Sequence, residues 1–231
     1  MENRFRKLAI DALFPRFCVV CGKEGSLACE RCMQTWTLFP ARQTCAFCAR
    51  AGTARTCADC RAWTYLDGLS YLSPYANVSV RKLIGAWKYY TDRTAEPILE
   101  ILLRRAAATM SPPALAFFAT HVPLHESRAR ERGFDQAQTV AMFASDIFGI
   151  PREDYLHRAR KTNQQASASK DNRQVGKMDG AFETNSDAVI PDHILLCDDV
   201  FTSGSTMDAA ARALKEAGAK TVWGYVIARG G

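Results

Sequence analysis

One segment limits what this chain can fold into more than any other: Ile194-Leu195-Leu196-Cys197-Asp198-Asp199-Val200-Phe201-Thr202-Ser203-Gly204-Ser205-Thr206. Its first four apolar residues suit a parallel strand buried on both faces, where Cys197 reads as a packed residue rather than a reactive thiol. Two carboxylates follow at the C-terminal end of that strand, the edge at which open α/β sheets take their ligands. Small hydroxyl and glycine residues then open a helix, and bare backbone N–H groups and the helix dipole favour an anion there. Carboxylates beside an anion site would repel a phosphate that met them directly. A ligand with a phosphate at one end and vicinal hydroxyls at the other satisfies both. That ligand is a ribose 5-phosphate, with Asp198 and Asp199 on the hydroxyls and Thr202, Ser203, Gly204, Ser205 and Thr206 around the phosphate. The plainer alternative is an ordinary strand–turn–helix with two solvated aspartates.

The rest of the C-terminal part alternates strand and helix. Residues 65–75 predict a strand or hairpin. Two helices follow, one presenting Val80, Leu83, Ile84 and Trp87 on a face, the other Ala95, Ile98, Leu99, Leu102, Leu103 and Ala106 at helical spacing. Ala116–Val122 reads as a strand and Pro123–Gly133 as a charged loop. Asp135 with Gln138 gives a capping-box-like start to a helix carrying Val140, Ala141, Ala144 and Ile147. Residues 157–181 are polar, basic and poor in apolar anchors, which predicts a long loop. A helix over Thr206–Ala217, Gly218 as its cap and a last strand over Thr221–Ala228 complete the pattern. Such alternation predicts an open, mostly parallel α/β sheet over residues 62–231.

Residues 1–61 are of another kind. Eight of the nine cysteines fall between Cys18 and Cys60, all in Cys-x-x-Cys pairs. The spacing Cys18-x2-Cys21-x7-Cys29-x2-Cys32 is echoed by Cys45-x2-Cys48-x8-Cys57-x2-Cys60, so each half offers four thiolates to one tetrahedral ion. Local sets are expected, because short internal loops close most easily. The intervening segments are too small for a core of their own, so the metal supplies the folding energy. Zn²⁺ at two structural sites fits this ribbon-like spacing better than an iron–sulfur cluster. The formal charge of +6 then falls to roughly +2, because each four-thiolate zinc site carries about −2. Basicity is therefore weak support for nucleic acid. Lys23, Arg31, Arg42, Arg50, Arg55 and Arg61 with Trp36, Phe39, Phe47 and Trp63 either stack on single-stranded DNA or form the seam between ribbon and sheet. The seam is favoured. Residues 1–17 read as a short amphipathic helix ending before Pro15, docked on the main domain. They lack the apolar run of a signal peptide, and the sequence has no stretch of about 18 apolar residues to span a membrane, so the expected location is the cytoplasm.

Three separated motifs resemble the ComF (GntX-like) family. The first is the acid pair with its Thr/Ser/Gly loop, which is also similar to the phosphoribosyl pyrophosphate signature of type I phosphoribosyltransferases. The second is His121-Val122-Pro123-Leu124-His125 with Arg128 and Arg132-Gly133-Phe134-Asp135-Gln136. The third is Tyr75, Arg81, Leu83, Ile84, Lys88 and Tyr89. A cysteine-rich start also belongs to the family's pattern, and Asp135 stands where the family more often has Asn. The resemblance implies a type I phosphoribosyltransferase-like fold behind a double zinc ribbon, and a link to DNA uptake or use in competence, alongside other competence proteins. It implies that Pro123–Gly133 holds pyrophosphate, with Pro123, Arg128, Arg130 and Arg132 as candidate contacts and Mg²⁺ accompanying the ligand. It further implies a catalytic lid over 157–181, with Arg158, Arg160, Lys161, Gln165 and Arg173 as candidate contacts. Arg173 joins Asp198 and Asp199 as a candidate catalytic residue. The family's Asn after the lid arginine is replaced here by Gly176 or Lys177. Three functions follow: an accessory protein binding DNA and a phosphoribosyl ligand, a transferase acting on an unidentified nucleobase-like acceptor, or a sensor that kept the pocket and lost catalysis.

Overall fold

A computed structural model describes residues 15–36, 44–52, 54–89, 93–110, 112–124, 133–159 and 180–230. In chain order these contain α1 (Glu30–Thr35), α2 (Ala58–Arg61), β1 (Gly68–Pro74), α3 (Val78–Tyr89), α4 (Ala95–Met110), β2 (Phe118–His121), α5 (Gln136–Phe148), β3 (Leu156–Arg158), β4 (Phe182–Thr184), β5 (His193–Phe201), α6 (Ser205–Glu216) and β6 (Thr221–Arg229). The sheet order is β1-β6-β5-β2, and all three pairings are parallel. The central strands β5 and β6 carry the longest apolar runs, as strands covered on both faces require.

Each face of the sheet has its own core. Leu195, Cys197, Trp223, Tyr225 and Ile227 pack against α3, α4 and α5 on one side. Their chain neighbours Ile194, Leu196, Val222 and Val226 meet α6, Tyr155, Leu156, Phe182 and Ala46 on the other. The two-residue period of a strand makes this division automatic. The helical faces expected around Leu83, Trp87, Leu99 and Leu103 are the buried ones. Pro97 sits in the first turn of α4, where a missing N–H is harmless.

The chain's path explains where a cleft opens. After α5 it returns alongside the outer edge of β2, with Arg152 paired in parallel to Ala119. It then makes the antiparallel β3–β4 ribbon and crosses to β5 on the inner edge of β2. Connections thus run outward from β2 on one face and inward from β5 on the other, so the segments leaving the carboxyl ends of β2 and β5 part to opposite faces. Such a switch point is where open α/β sheets leave room for a ligand.

The expected loop over 157–181 starts later than the sequence suggested, while its C-terminal bound agrees with the start of β4 at Phe182. Residues 157 and 158 pair with Glu183 and Phe182, and Ala159 N–H donates to Ala181 O at 3.0 Å, because Leu156 and Phe182 are apolar anchors buried under α6. Residues 160–179, the N-terminal helix expected over 1–17 (apart from residues 15–17), and Arg128, Arg130 and Arg132 lie outside the described residues.

The two cysteine clusters sit on different parts of this body. Around the first, Val19, Leu27 and Trp36 pack on the core shared with α3 and α4, and Arg16 donates to Thr94 Oγ1 at 3.0 Å. Around the second, Ala46 is buried with α6, Leu69 N–H donates to Ala54 O at 2.8 Å, and Arg55 bridges to Gly68. Gly68 has no room for a side chain, since a Cβ there would strike the Trp223 ring and come within 2.6 Å of Ala54 O.

Candidate functional site

The acid pair lies within β5 near its carboxyl end, as expected, and Val200 and Phe201 still pair with Ala228 and Arg229 of β6. Successive strand residues point to opposite faces. Asp199 is 8% exposed and meets Lys88 Nζ at 2.6 Å. The Asp198 carboxylate accepts from the Asp199 N–H at 2.8 Å. Burial first, and then the charge of Asp199, holds the Asp198 carboxyl well above the usual carboxylate range, against the opposing pull of that N–H and of Lys88.

A cleft of about 320 Å³ opens at the switch point and is lined by Asp198, Asp199, Thr202, Thr206, Pro123 and Lys88, among others. Thr202 and Thr206 bracket the turn that starts α6. Gly204 is the N-cap of that helix at φ +82 and offers no side-chain cap, so the first turn lacks the oxygen that Ser or Asp would supply from that position, although Ser205 N–H donates to Ser203 Oγ at 3.4 Å. Ser203 and Ser205 hydroxyls lie 3.0 Å apart. Of the residues expected at the site, Asp198, Asp199, Thr202, Thr206 and Pro123 line the cleft, as does Arg158 at the end of β3. Ser203, Gly204 and Ser205 form the intervening turn. Arg128, Arg132 and Arg173 fall outside the described residues.

Tyr75, Lys88, Asp135 and Gln136 are among the further residues that line the same cleft. Asp135 caps α5 as its sequence context predicts, accepting from Ala137 N–H at 2.8 Å and Gln138 N–H at 3.2 Å. Its second oxygen accepts from Leu124 N–H at 3.2 Å, which joins the two ends of the loop after β2. Lys88 stands in one of the quoted motifs but had no readable role, because nothing local in a helix shows that one of its lysines meets a strand over a hundred residues later.

The eight cysteines gather in the local sets, Cys18, Cys21, Cys29, Cys32 and Cys45, Cys48, Cys57, Cys60, with all sulfurs of a set within 4.8 Å of one another. The Cys21–Cys29 and Cys48–Cys57 sulfurs are 3.7 and 3.6 Å apart. A tetrahedral ion with metal–sulfur bonds of about 2.3 Å has edges of about 3.8 Å, so both sets fit one. Cys29 N–H donates to Cys18 Sγ, and Cys57 N–H to Cys45 Sγ, each at 3.4 Å. Burial acts to raise the Cys18 and Cys45 thiols, but backbone N–H groups outweigh it and bring each down to about 6. Thiolates are the form a metal binds.

The proposed stacking aromatics divide. Trp36 packs on the core, and Phe47 lies edge-on to Phe201 and Trp63 at 5.8 and 5.4 Å, so both serve the seam. Trp63 remains 45% exposed. Arg50 pairs with Asp59 at 2.8 Å, and Arg55 lies over Trp223. Phe39 and Arg42 are outside the described residues.

The phosphoribosyl transferase domain family matches residues 135–231. Fold, cleft and cysteine clusters therefore define an α/β protein of phosphoribosyltransferase-like fold, with two N-terminal four-cysteine sets consistent with zinc ribbons. Within that fold the chain is similar to curated ComF competence proteins. It is 26% identical over 212 residues to competence protein ComFC of Streptococcus pneumoniae, which covers 89% of either chain. It is 24% identical over 215 residues to competence protein F of Haemophilus influenzae, covering 87% of this chain and 90% of that one. With ComFC of Bacillus subtilis the identity is 28% over 195 residues, 80% of this chain and 77% of the relative. Among the described residues no helix is long and apolar enough to cross a membrane.

Proposed function

We propose that the cleft takes phosphoribosyl pyrophosphate or a related ribose phosphate, and that the protein works in DNA uptake or use during competence. The observation that carries this reading is the joint lining of one cleft by the acid pair Asp198–Asp199 and by Thr202 and Thr206 at the mouth of α6. The 5-phosphate would meet the uncapped first turn of α6 together with Thr202, Ser203, Gly204, Ser205 and Thr206. Asp198 and Asp199 would accept from the 2- and 3-hydroxyls. A pyrophosphate would lie toward Pro123, Leu124 and the start of α5, with Arg128, Arg132 and Arg173 as further partners and Mg²⁺ entering with the ligand. We divide the chain after residue 61 into ribbon module and phosphoribosyltransferase-like domain, and assign it to the cytoplasm, where a reducing environment keeps the thiols free for Zn²⁺. Calorimetric titration of phosphoribosyl pyrophosphate with Mg²⁺ tests the site. The wild type should bind and Asp198→Asn/Asp199→Asn should not; equal heats from both would remove the reading.

If the protein is a transferase, an acceptor atom attacks the anomeric carbon as its bond to the pyrophosphate oxygen breaks. The chain's part is to hold the ribose and stabilise charge on the departing group. Pyrophosphate release in the presence of a panel of bases separates this from a silent sensor.

Single-stranded DNA on the ribbon side is a second reading, favoured by Trp63 and Tyr65 at 45% and 40% exposure, with Arg212 over the Tyr65 ring. Aromatic faces beside cations suit splayed bases. Binding that weakens with salt and is lost in Trp63→Ala/Tyr65→Ala would support it; binding unchanged by that pair of substitutions would oppose it.

A further inference from the structure

The two cysteine clusters are built alike, yet their knuckles face different things. In the first, Cys18-Val19-Val20-Cys21 leads into Gly22, whose N–H donates to Cys18 O at 2.8 Å; in the second, Cys45-Ala46-Phe47-Cys48 leads into Ala49, whose N–H donates to Cys45 O at 3.1 Å. Val20 and Phe47 occupy the same place in the repeat. Val20 is 42% exposed. Phe47 is instead folded against the turn that opens α6.

Three contacts join the second knuckle to that turn. The Phe47 ring stands edge-on to Phe201 with centroids 5.8 Å apart. A Cβ built on Gly204 would strike the Phe201 ring and lie 2.9 Å from Phe47 Cε1, so the two rings form the surface on which Gly204 rests in its left-handed conformation. Arg229, the register partner of Phe201, donates to Ala46 O at 3.0 Å and to Thr44 Oγ1 at 3.1 Å. Gly230 N–H closes the set by donating to Phe201 O at 2.7 Å. The first cluster leans on the α3–α4 side through Val19, Leu27 and Trp36.

We infer that Phe47 is a positioning residue for the Thr202–Thr206 turn, and that through it the second four-cysteine site, unlike the first, sets how tightly the cleft holds a ribose phosphate. This rests on the ribose-phosphate reading above. The physical reason is that a phosphate cradle works only when its N–H groups are held in place by packed neighbours. Phe47 lies between two metal-ligand cysteines, so its ring can be no better placed than the knuckle that carries it.

The test uses the zinc-loaded full chain and ribose 5-phosphate as the probe. Calorimetry should show affinity falling about tenfold in Phe47→Ala, with most of it recovered in Phe47→Leu, which restores apolar bulk, and no change in Val20→Ala. Zinc content should stay at two ions per chain in all three, which a general loss of folding would not allow. The intact wild type supplies a second measurement that needs no variant. Coupling between two sites is reciprocal, so saturating ribose 5-phosphate should slow alkylation of Cys48 while leaving that of Cys21 unchanged; both are exposed. Equal affinities in wild type and Phe47→Ala, or equal protection of Cys48 and Cys21, would overturn the inference. A wild type that fails to bind ribose 5-phosphate would sink the ligand reading itself, and this inference with it.

Discussion

Lys88 Nζ lies 2.6 Å from Asp199 Oδ2, with only 18% and 11% of the two side chains exposed, so α3 is tied by an ion pair to the acid pair of β5. Adjacent carboxylates in a partly enclosed cleft repel one another, and a single ammonium within contact distance offsets that repulsion. A ligand hydroxyl that reaches Asp199 must share it with Lys88.

Removing Lys88 alone leaves a buried carboxylate without its counter-charge. Lys88→Met should cost about 3 kcal/mol in denaturant unfolding. Adding Asp199→Asn should recover most of that loss, because the orphaned charge is then gone. Strictly additive costs in the double mutant would refute the coupling.

Asp198 should make stability depend on pH. Its folded-state carboxyl is held well above the usual range by burial and then by Asp199. Stability from this group is therefore complete below the ordinary aspartate pKa of about 3.9 and is lost as pH rises through the elevated folded value. Asp198→Asn removes the titration. The variant should unfold later than wild type at pH 7, and the difference should vanish toward pH 3. A variant less stable than wild type at neutral pH would contradict the assignment.

Asp208 performs a structural task from the first turn of α6. Its Oδ1 accepts from Tyr65 N–H at 2.7 Å and Leu66 N–H at 3.1 Å, which pins the segment leaving the second cysteine cluster. Burial raises its carboxyl, while those two N–H groups oppose the rise. Asp208→Ala orphans both donors and should cost about 3 kcal/mol, whereas Asp208→Asn, whose amide oxygen accepts equally, should stay within about 1 kcal/mol of wild type. Chemical unfolding of the two variants side by side checks the contrast.

The knuckles differ at one backbone position. Gly22 has φ +74, and its counterpart Ala49 is driven to φ +58, where a Cβ is disfavoured. Ala49→Gly should tighten zinc at the second site by about 1 kcal/mol, since metal binding and local folding are one event. Gly22→Ala should weaken the first site by a similar amount. A Cβ at Gly22 meets nothing within 4 Å, so that cost is the backbone's alone. Chelator competition on each variant measures both.

How much of the protein was legible varies from element to element. The α4 face of Leu99, Leu102, Leu103 and Ala106 could be read directly, because helical periodicity is a local code. So could the Asp135 cap of α5, whose hydrogen bonds reach only two and three residues along the chain. The start of the 157–181 loop was misjudged, since the segment around Leu156 has no local periodicity and becomes a strand only by pairing with β4 and packing with α6. Ala49 was also hidden, because its backbone conformation is imposed by the metal-ready knuckle against its own preference.

Local spacing, then, was enough to decide the cysteine sets, the acid pair, the glycine turn and the alternation of strand and helix, for each depends on atoms a few residues apart. Only the tertiary structure decided that Lys88 meets Asp199, that Asp135 joins both ends of the loop after β2, and that Phe47 rather than Val20 stands against Gly204. Those three contacts join segments that the chain's path through the sheet brings together, and no pairwise preference along the sequence encodes that path.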